Sequence, residues 1–336
     1  MPKMKAVQVS KSNGPFELVE RDVPVPGPGW VRIKVEACGV CHSDAVVRGG
    51  RFPGLALPRI PGHEIAGRID SVGSGVTAWS AGDRVGVGWH GGHCFVCDAC
   101  RRGLFINCER GKITGISHDG GYAEYAVVPA ESVARVPEGI SAAEIGPLLC
   151  AGVTTYNSLR NSGARPGQTV AVQGIGGLGH LGVQYAARMG FRTIAISRGA
   201  DKATLARELG AHEYIDTEVA PAADGLKKLG GADLVLATAP SSEAIASVVD
   251  GLKSRGKLLI VAAPLTPMPV NALALLSGKS IAGWPSGSSI DSEDAVAFSA
   301  LTGVRPRIET FALADAEKAF AHMMENRVRF RAVLVP

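Results

Sequence analysis

The 336-residue chain has no apolar run near the roughly 18 residues that a membrane span needs. Its first residues, Met1 to Val7, lack the hydrophobic stretch and cleavage site of a secretory signal. No basic cluster stands behind the formal charge of +4, which argues against a nucleic-acid partner. There is no internal repeat and no low-complexity segment. Cysteine is missing from everything after Cys150, so all seven thiols fall in the first half. Without an export signal they are expected to be reduced, in a cytoplasmic protein. Metal or redox chemistry therefore outranks a disulfide framework.

What remains suits a soluble globular protein: 46% hydrophobic and 20% charged residues, with 43 glycines that fit many short strands and tight turns. The length is too great for one typical core and implies two domains. The first part reads as all-β: short runs at Ala6–Val9, Phe16–Val19 and Val31–Val35, separated by turns, with a further strand at Gly121–Val128. A helix at Ala142–Leu149 leads to Cys150. From Val153–Arg160, which reads as helical, the pattern changes to alternation. Strands at Thr193–Ile196, Tyr214–Ile215, Asp233–Ala237, Lys257–Val261 and Ser280–Ala282 are interleaved with helices at Lys202–Leu209, Leu226–Leu229 and Glu243–Leu252. Such alternation means a doubly wound parallel sheet, so the fold class is α/β. The tail offers helices at Glu293–Ala300 and Asp315–Asn326 and a last strand, Ala332–Val335. Periodicity leaves open which domain it joins.

The second part opens on an apolar strand ending at Gln173, then Gly174-Ile175-Gly176-Gly177-Leu178-Gly179, then a helical run. Gly174 allows the tight turn, Gly176 lets backbone approach a pyrophosphate, and Gly179 lets helix pack on strand. The helix start supplies free N–H groups and a positive dipole end for phosphates. The flanking strand and helix are the context that identifies a dinucleotide site.

Cys94, Cys97, Cys100 and Cys108 follow the spacing C-x2-C-x2-C-x7-C. Four soft ligands within fifteen residues can reach one tetrahedral zinc and leave no open position, so the site would be structural. Unliganded or redox thiols are the alternative. Cys41, His63 and Cys150 are distant in sequence, and their spacing says nothing about proximity. Three N/S ligands with an open fourth position would make a catalytic zinc site, and two thiolates would neutralise the dication. Asp44 could accept the second ring N–H of His63. Equally, both cysteines could be small core residues and His63 a satisfied turn residue. Cys38 reads as a core cysteine.

Taken in chain order, Cys41-His42-Ser43-Asp44, Gly62-His63-Glu64, Gly82-Asp83-Arg84-Val85, the four-cysteine lobe, Cys150 to Thr154 and Gly174 to Gly179 resemble the zinc-containing medium-chain alcohol dehydrogenases. The resemblance covers essentially the whole chain. It implies a GroES-like β-rich catalytic domain (1–152 and 283–336, the tail returning to it) and a Rossmann domain (153–282). It implies Cys41, His63 and Cys150 as catalytic zinc ligands, with Glu64 an inner neighbour able to enter the coordination sphere. Ser43 would take the substrate proton. His42 would lie on the coenzyme pyrophosphate, Thr154 and Leu178 on the nicotinamide side, and Trp89 in the substrate pocket. A homo-oligomer, dimer or tetramer, is implied too.

Two positions depart from the family pattern. Val46 stands where many relatives carry a histidine at the outer end of a proton relay. The strand after the fingerprint ends in Ser197-Arg198, with Lys202 close behind, where a carboxylate normally holds the ribose 2′-OH of NAD. A hydroxyl and a guanidinium can bind a 2′-phosphate instead, which favours NADP(H). Alternatively Arg198 is a solvated loop charge and NAD binds. The expectation is a zinc-dependent alcohol dehydrogenase or aldehyde reductase acting on primary alcohols and aldehydes. The rivals are polyol or secondary-alcohol chemistry on the same scaffold, and a non-catalytic dinucleotide-binding protein.

Overall fold

In the computed structural model, all residues except Met1, Ala263 and Leu265 are described. In chain order the elements are β1 (Lys3–Gln8), β2 (Glu17–Asp22), β3 (Trp30–Gly39), α1 (Asp44–Arg48), β4 (Ile65–Val72), β5 (Arg84–Val87), α2 (Asp98–Arg101), β6 (Tyr125–Pro129), β7 (Val133–Arg135), α3 (Ala142–Pro147) and α4 (Val153–Arg160). There follow β8 (Thr169–Gln173), α5 (Gly179–Arg188), β9 (Arg192–Ser197), α6 (Lys202–Glu208), β10 (Glu213–Asp216), α7 (Ala222–Lys228), β11 (Ala232–Ala237), α8 (Ser242–Ala246), β12 (Leu252–Ile260) and β13 (Ser280–Gly283). The tail holds α9 (Ser289–Thr302), β14 (Ile308–Ala312), α10 (Ala316–Met324) and β15 (Arg331–Val335). Among the described residues no helix is long and apolar enough to cross a membrane.

Contacts divide the chain into two compact units, Met1–Val153 with Gly287–Pro336, and Thr154–Ser286. In the first unit a mixed sheet runs β14-β15-β3-β4-β5-β7, with β6 also pairing β3. The question of the tail is thereby answered: β15 pairs antiparallel with β3 at Val333–Gly39 and Leu334–Cys38. The alternating apolar positions of β3 (Val31, Ile33, Val35) are buried against Ile65, Ile69, Val85 and Val128, as a sheet with one face on a core requires.

In the second unit six parallel strands run β10-β9-β8-β11-β12-β13. This is the doubly wound order whose direction reverses beside β8, and ligands bind at that switch point, beyond the carboxyl ends of the strands. β8 is buried at every position, as a central parallel strand should be.

Three of the element boundaries that differ from the sequence expectation do so for an evident local reason. The Ala142 helix ends at Pro147, and Leu148–Gly152 continue as a π-helical turn. Proline inside a helix removes one ladder hydrogen bond, which is where the extra residue is accommodated. The strand expected from Gly121 becomes regular only at Tyr125, because Gly121 and Tyr122 donate their N–H groups to Gly62 and Pro61 instead. The helix expected over Glu243–Leu252 stops at Ala246; a 3-10 turn follows, and Leu252 already belongs to β12. Gly251 there packs so tightly that a Cβ would lie 2.6 Å from Leu226. The sequence expectation does not include α1, α2, β7 or β14.

Candidate active site and zinc lobe

Sheet register, not sequence proximity, assembles the first site. Cys41 follows the end of β3, and His63-Glu64 precede the start of β4; the two strands pair at Cys38–Ile65. The Gly39 N–H donates to the Glu64 carbonyl (3.0 Å), locking the two loops together. A Cβ on Gly39 would fall 1.8 Å from Glu64 Oε2, so only glycine lets the carboxylate occupy that place. Cys150 comes from the π-helical turn after α3, and such turns often lie at functional sites.

The result is a cluster of three buried residues and a half-buried Cys150: ligand atoms of Cys41, His63, Glu64 and Cys150 all lie within 4.8 Å of one another. Cys41 Sγ and Cys150 Sγ are 3.9 Å apart. Tetrahedral zinc with Zn–S bonds of about 2.3 Å holds its sulfurs about 3.8 Å apart. His63 Nε2 and Glu64 Oε2 are buried with no hydrogen-bond partner in the protein, although such groups are normally satisfied. A cation facing them would supply what they lack, so the donor set fits zinc.

The protons are distributed accordingly. The hydrogen bond between the two thiols is the main cause that holds the Cys41 thiol well below its usual range and pushes that of Cys150 well above it. Burial opposes a charged His63, but the polar, negatively charged surroundings that Asp44 and Cys41 provide outweigh it and hold its pKa well above the usual imidazole range. Asp44 Oδ1 lies 3.5 Å from His63 Nδ1, and its Oδ2 accepts the Cys41 N–H at 2.8 Å. Burial pushes Glu64 up to about 7, against the pull of Arg331. Trp89 stands edge-on to the His63 ring, centroids 5.0 Å apart. Ser43 Oγ is 3.7 Å from Cys41 Sγ, and His42 is exposed.

Arg331 escaped the sequence reading. It opens β15, is buried, and pairs with Glu64 Oε1. The available signal was a charged residue heading the apolar run Ala332–Leu334. Tyr122 was also missed; its hydroxyl donates to Asp44 Oδ2 at 2.8 Å.

In the lobe, sulfurs of Cys94 and Cys100 are 4.0 Å apart and those of Cys97 and Cys108 3.9 Å, again near the tetrahedral edge. The N–H groups of Cys97 and Arg110 donate to Cys94 and Cys108 sulfur at 3.4 Å. Backbone N–H groups, that of Val96 foremost, bring the Cys94 thiol down to about 6. Burial, with Cys97 and Cys108 alongside, pushes Cys100 up to about 12.

In the second unit, Gly174 has φ of +92°, and a Cβ on Gly179 would fall 1.8 Å from the Gly174 carbonyl oxygen. Gly176 has open space where its Cβ would stand, the room a close-lying pyrophosphate needs. Gly177 and Leu178 complete the turn into α5. Thr154 Oγ1 donates to Ser286 Oγ at 3.1 Å. Beyond β9, Arg198 is exposed and Ser197 half-buried, while Lys202 starts α6. Asp216 Oδ1 accepts the N–H groups of Gly199 and Glu218 at 2.9 Å.

Residues 27–138 match the family described as alcohol dehydrogenase GroES-like domain, and residues 177–300 match zinc-binding dehydrogenase. An alcohol dehydrogenase patD from Penicillium expansum is 47% identical, over 94% of this chain and 93% of its own length. An alcohol dehydrogenase from Geobacillus stearothermophilus is 38% identical, over 98% of this chain and 99% of its own. The chain belongs to the zinc-containing medium-chain alcohol dehydrogenases. A solved cinnamyl alcohol dehydrogenase from Sorghum bicolor superposes with a TM-score of 0.90 at 31% identity, covering 99% of this chain and 98% of that one. For a member of this family, zinc and a nicotinamide dinucleotide are the expected cofactors, alcohols and aldehydes the substrates, and the four-cysteine cluster a candidate structural zinc site.

Proposed function

We propose that the protein is a zinc-dependent aldehyde reductase and alcohol dehydrogenase that transfers hydride between NADP(H) and primary alcohols or aldehydes, aromatic ones included. The observation that carries this reading is the convergence of buried Cys41, His63 and Glu64 with half-buried Cys150. Cys41, His63 and Cys150 would hold the catalytic ion, with Glu64 in reserve for ligand exchange, and the four lobe cysteines the structural one. Bound at the first site, zinc supplies Lewis acidity that polarises a carbonyl and eases removal of an alcohol proton.

The residues of the chain do the rest. Two thiolates offset the dication, so a neutral substrate is not repelled. Asp44 fixes the His63 tautomer. Ser43 takes the alcohol proton, and Trp89 lines the substrate pocket. With Val46 carrying no titratable group, the proton then leaves by a ribose hydroxyl or water. Gly174, Gly176, Gly177 and the start of α5 receive the pyrophosphate with His42, while Thr154 and Leu178 flank the nicotinamide. Ser197, Arg198 and Lys202 receive the 2′-phosphate. The family likeness supports a homo-oligomer, dimer or tetramer.

A second reading, NAD(H), draws on one observation. Asp201, Asp216 and Glu218 gather near Gly199; burial, then the field of these carboxylates, pushes Tyr214 up to about 12. Carboxylates there would repel a phosphate. The deciding measurement is kcat/KM for NADPH against NADH, reducing one aromatic aldehyde, in wild type and in Arg198→Ala. A preference for NADPH of tenfold or more, about 1.4 kcal/mol, that shrinks in the variant supports the proposal. A preference for NADH keeps the enzyme class and discards the phosphate site. No turnover with either coenzyme across a wider aldehyde panel would overturn the catalytic reading.

A further inference from the structure

Asp44 is a carboxylate with 1% of its surface exposed, standing beside the His63 ring. One oxygen, Oδ2, is saturated by two donors at 2.8 Å: the Cys41 N–H and the Tyr122 hydroxyl. The other, Oδ1, faces His63 Nδ1 at 3.5 Å. A carboxylate pinned through one oxygen cannot rotate the other away. The Cys41 N–H is part of the site itself, but the Tyr122 hydroxyl comes from a different segment and has no other evident task.

Tyr122 is held there firmly. It has no exposed surface; its N–H donates to the Pro61 carbonyl (3.0 Å) and its carbonyl accepts the Val7 N–H (2.7 Å). The ring lies against the loop that carries His63: a Cβ on Gly62 would come within 2.4 Å of it, and Gly62 has φ of +99°. Burial, reinforced by the charge of Asp44, keeps the phenol protonated and therefore a donor.

We infer that Tyr122 is a positioning residue for the zinc ligands, whose hydroxyl fixes Asp44 so that the carboxylate orients His63 and the Cys41 backbone together. The inference rests on the reading of Cys41, His63 and Cys150 as a zinc site. Groups that orient a metal-bound histidine typically affect metal affinity 10- to 100-fold.

The test uses the full-length, zinc-loaded protein. Release of zinc to a chromophoric chelator is followed in wild type, Tyr122→Phe, Asp44→Asn and the double variant, with the visible spectrum of the Co2+-substituted forms. Tyr122→Phe removes one oxygen and leaves the ring packing in place. Expected are two zinc ions per wild-type chain, with one released at least tenfold faster from Tyr122→Phe and the other, in the four-cysteine lobe, unchanged. The Co2+ spectrum should shift, and Tyr122→Phe should add nothing once Asp44 is Asn, because the hydroxyl acts through that carboxylate. Equal release from wild type and Tyr122→Phe, or effects that multiply in the double variant, would overturn the inference alone. A wild type holding a single zinc in the lobe would remove the site reading and the inference with it.

Discussion

The lobe formed by residues 94–108 has almost no core, and its order should therefore depend on the ion. Of its fifteen residues only Cys100 is buried; Phe95, Val96 and Leu104 expose 59%, 64% and 52% of their surface. Its regular structure is a four-residue helix, α2, and a three-residue 3-10 turn. Structural zinc contributes about 10–16 kcal/mol to small domains of this kind. Losing only about 3 kcal/mol of that would raise the open population more than a hundredfold. The perturbation is Cys97→Ala, which removes a sulfur 3.9 Å from that of Cys108. Arg101 and Arg102 are exposed in the middle of the lobe and provide a trypsin site. Zinc content should fall from two ions per chain to one, and nicking at these arginines should accelerate at least a hundredfold. A variant that holds one zinc yet resists trypsin like the wild type would refute the reasoning, since packing alone would then be ordering the lobe.

Two further outcomes are expected. Burial, followed by the neighbouring His93, brings His90 down to about 4, against about 6.5 when unfolded. Between those values the unfolded chain binds a proton that the folded one refuses, so stability is lost as pH falls through the window, by roughly 3 kcal/mol in all. In His90→Asn the loss between pH 7 and 4.5, measured by denaturant titration, should be about 2 kcal/mol smaller; equal losses in both proteins would sink the assignment. Gly179→Ala would drive a Cβ into the Gly174 carbonyl and pry α5 off the phosphate turn. NADPH affinity by fluorescence titration should fall at least tenfold with zinc content unchanged, and an unaltered affinity would contradict the role given to that glycine.

What was legible in the sequence is what is encoded locally. The glycines at 174, 176 and 179 and the four lobe cysteines each act within a few residues of one another, so spacing carries their geometry. The alternation after Val153 showed a parallel sheet because each strand and helix reports its own period. The first site was legible as a set of residue types, but not as a place. Cys41, His63 and Cys150 meet because β3 pairs with β4 and because Pro147 turns a helix end into a π-helical turn, and neither has a residue-by-residue signature. Arg331 shows the limit most plainly. It lies 267 positions from Glu64, and only the return of β15 to β3 brings them together. A buried carboxylate would be costly without such a partner, since removing one member of a buried pair typically costs about 3–5 kcal/mol. The returning tail thus does more than complete a sheet: it delivers the counter-charge that lets Glu64 stay beside Cys41 and Cys150. The residues around the site that escaped notice, Arg331 and Tyr122, share this trait. Each works through a group belonging to another segment, and such partners are chosen by register that no local pattern displays.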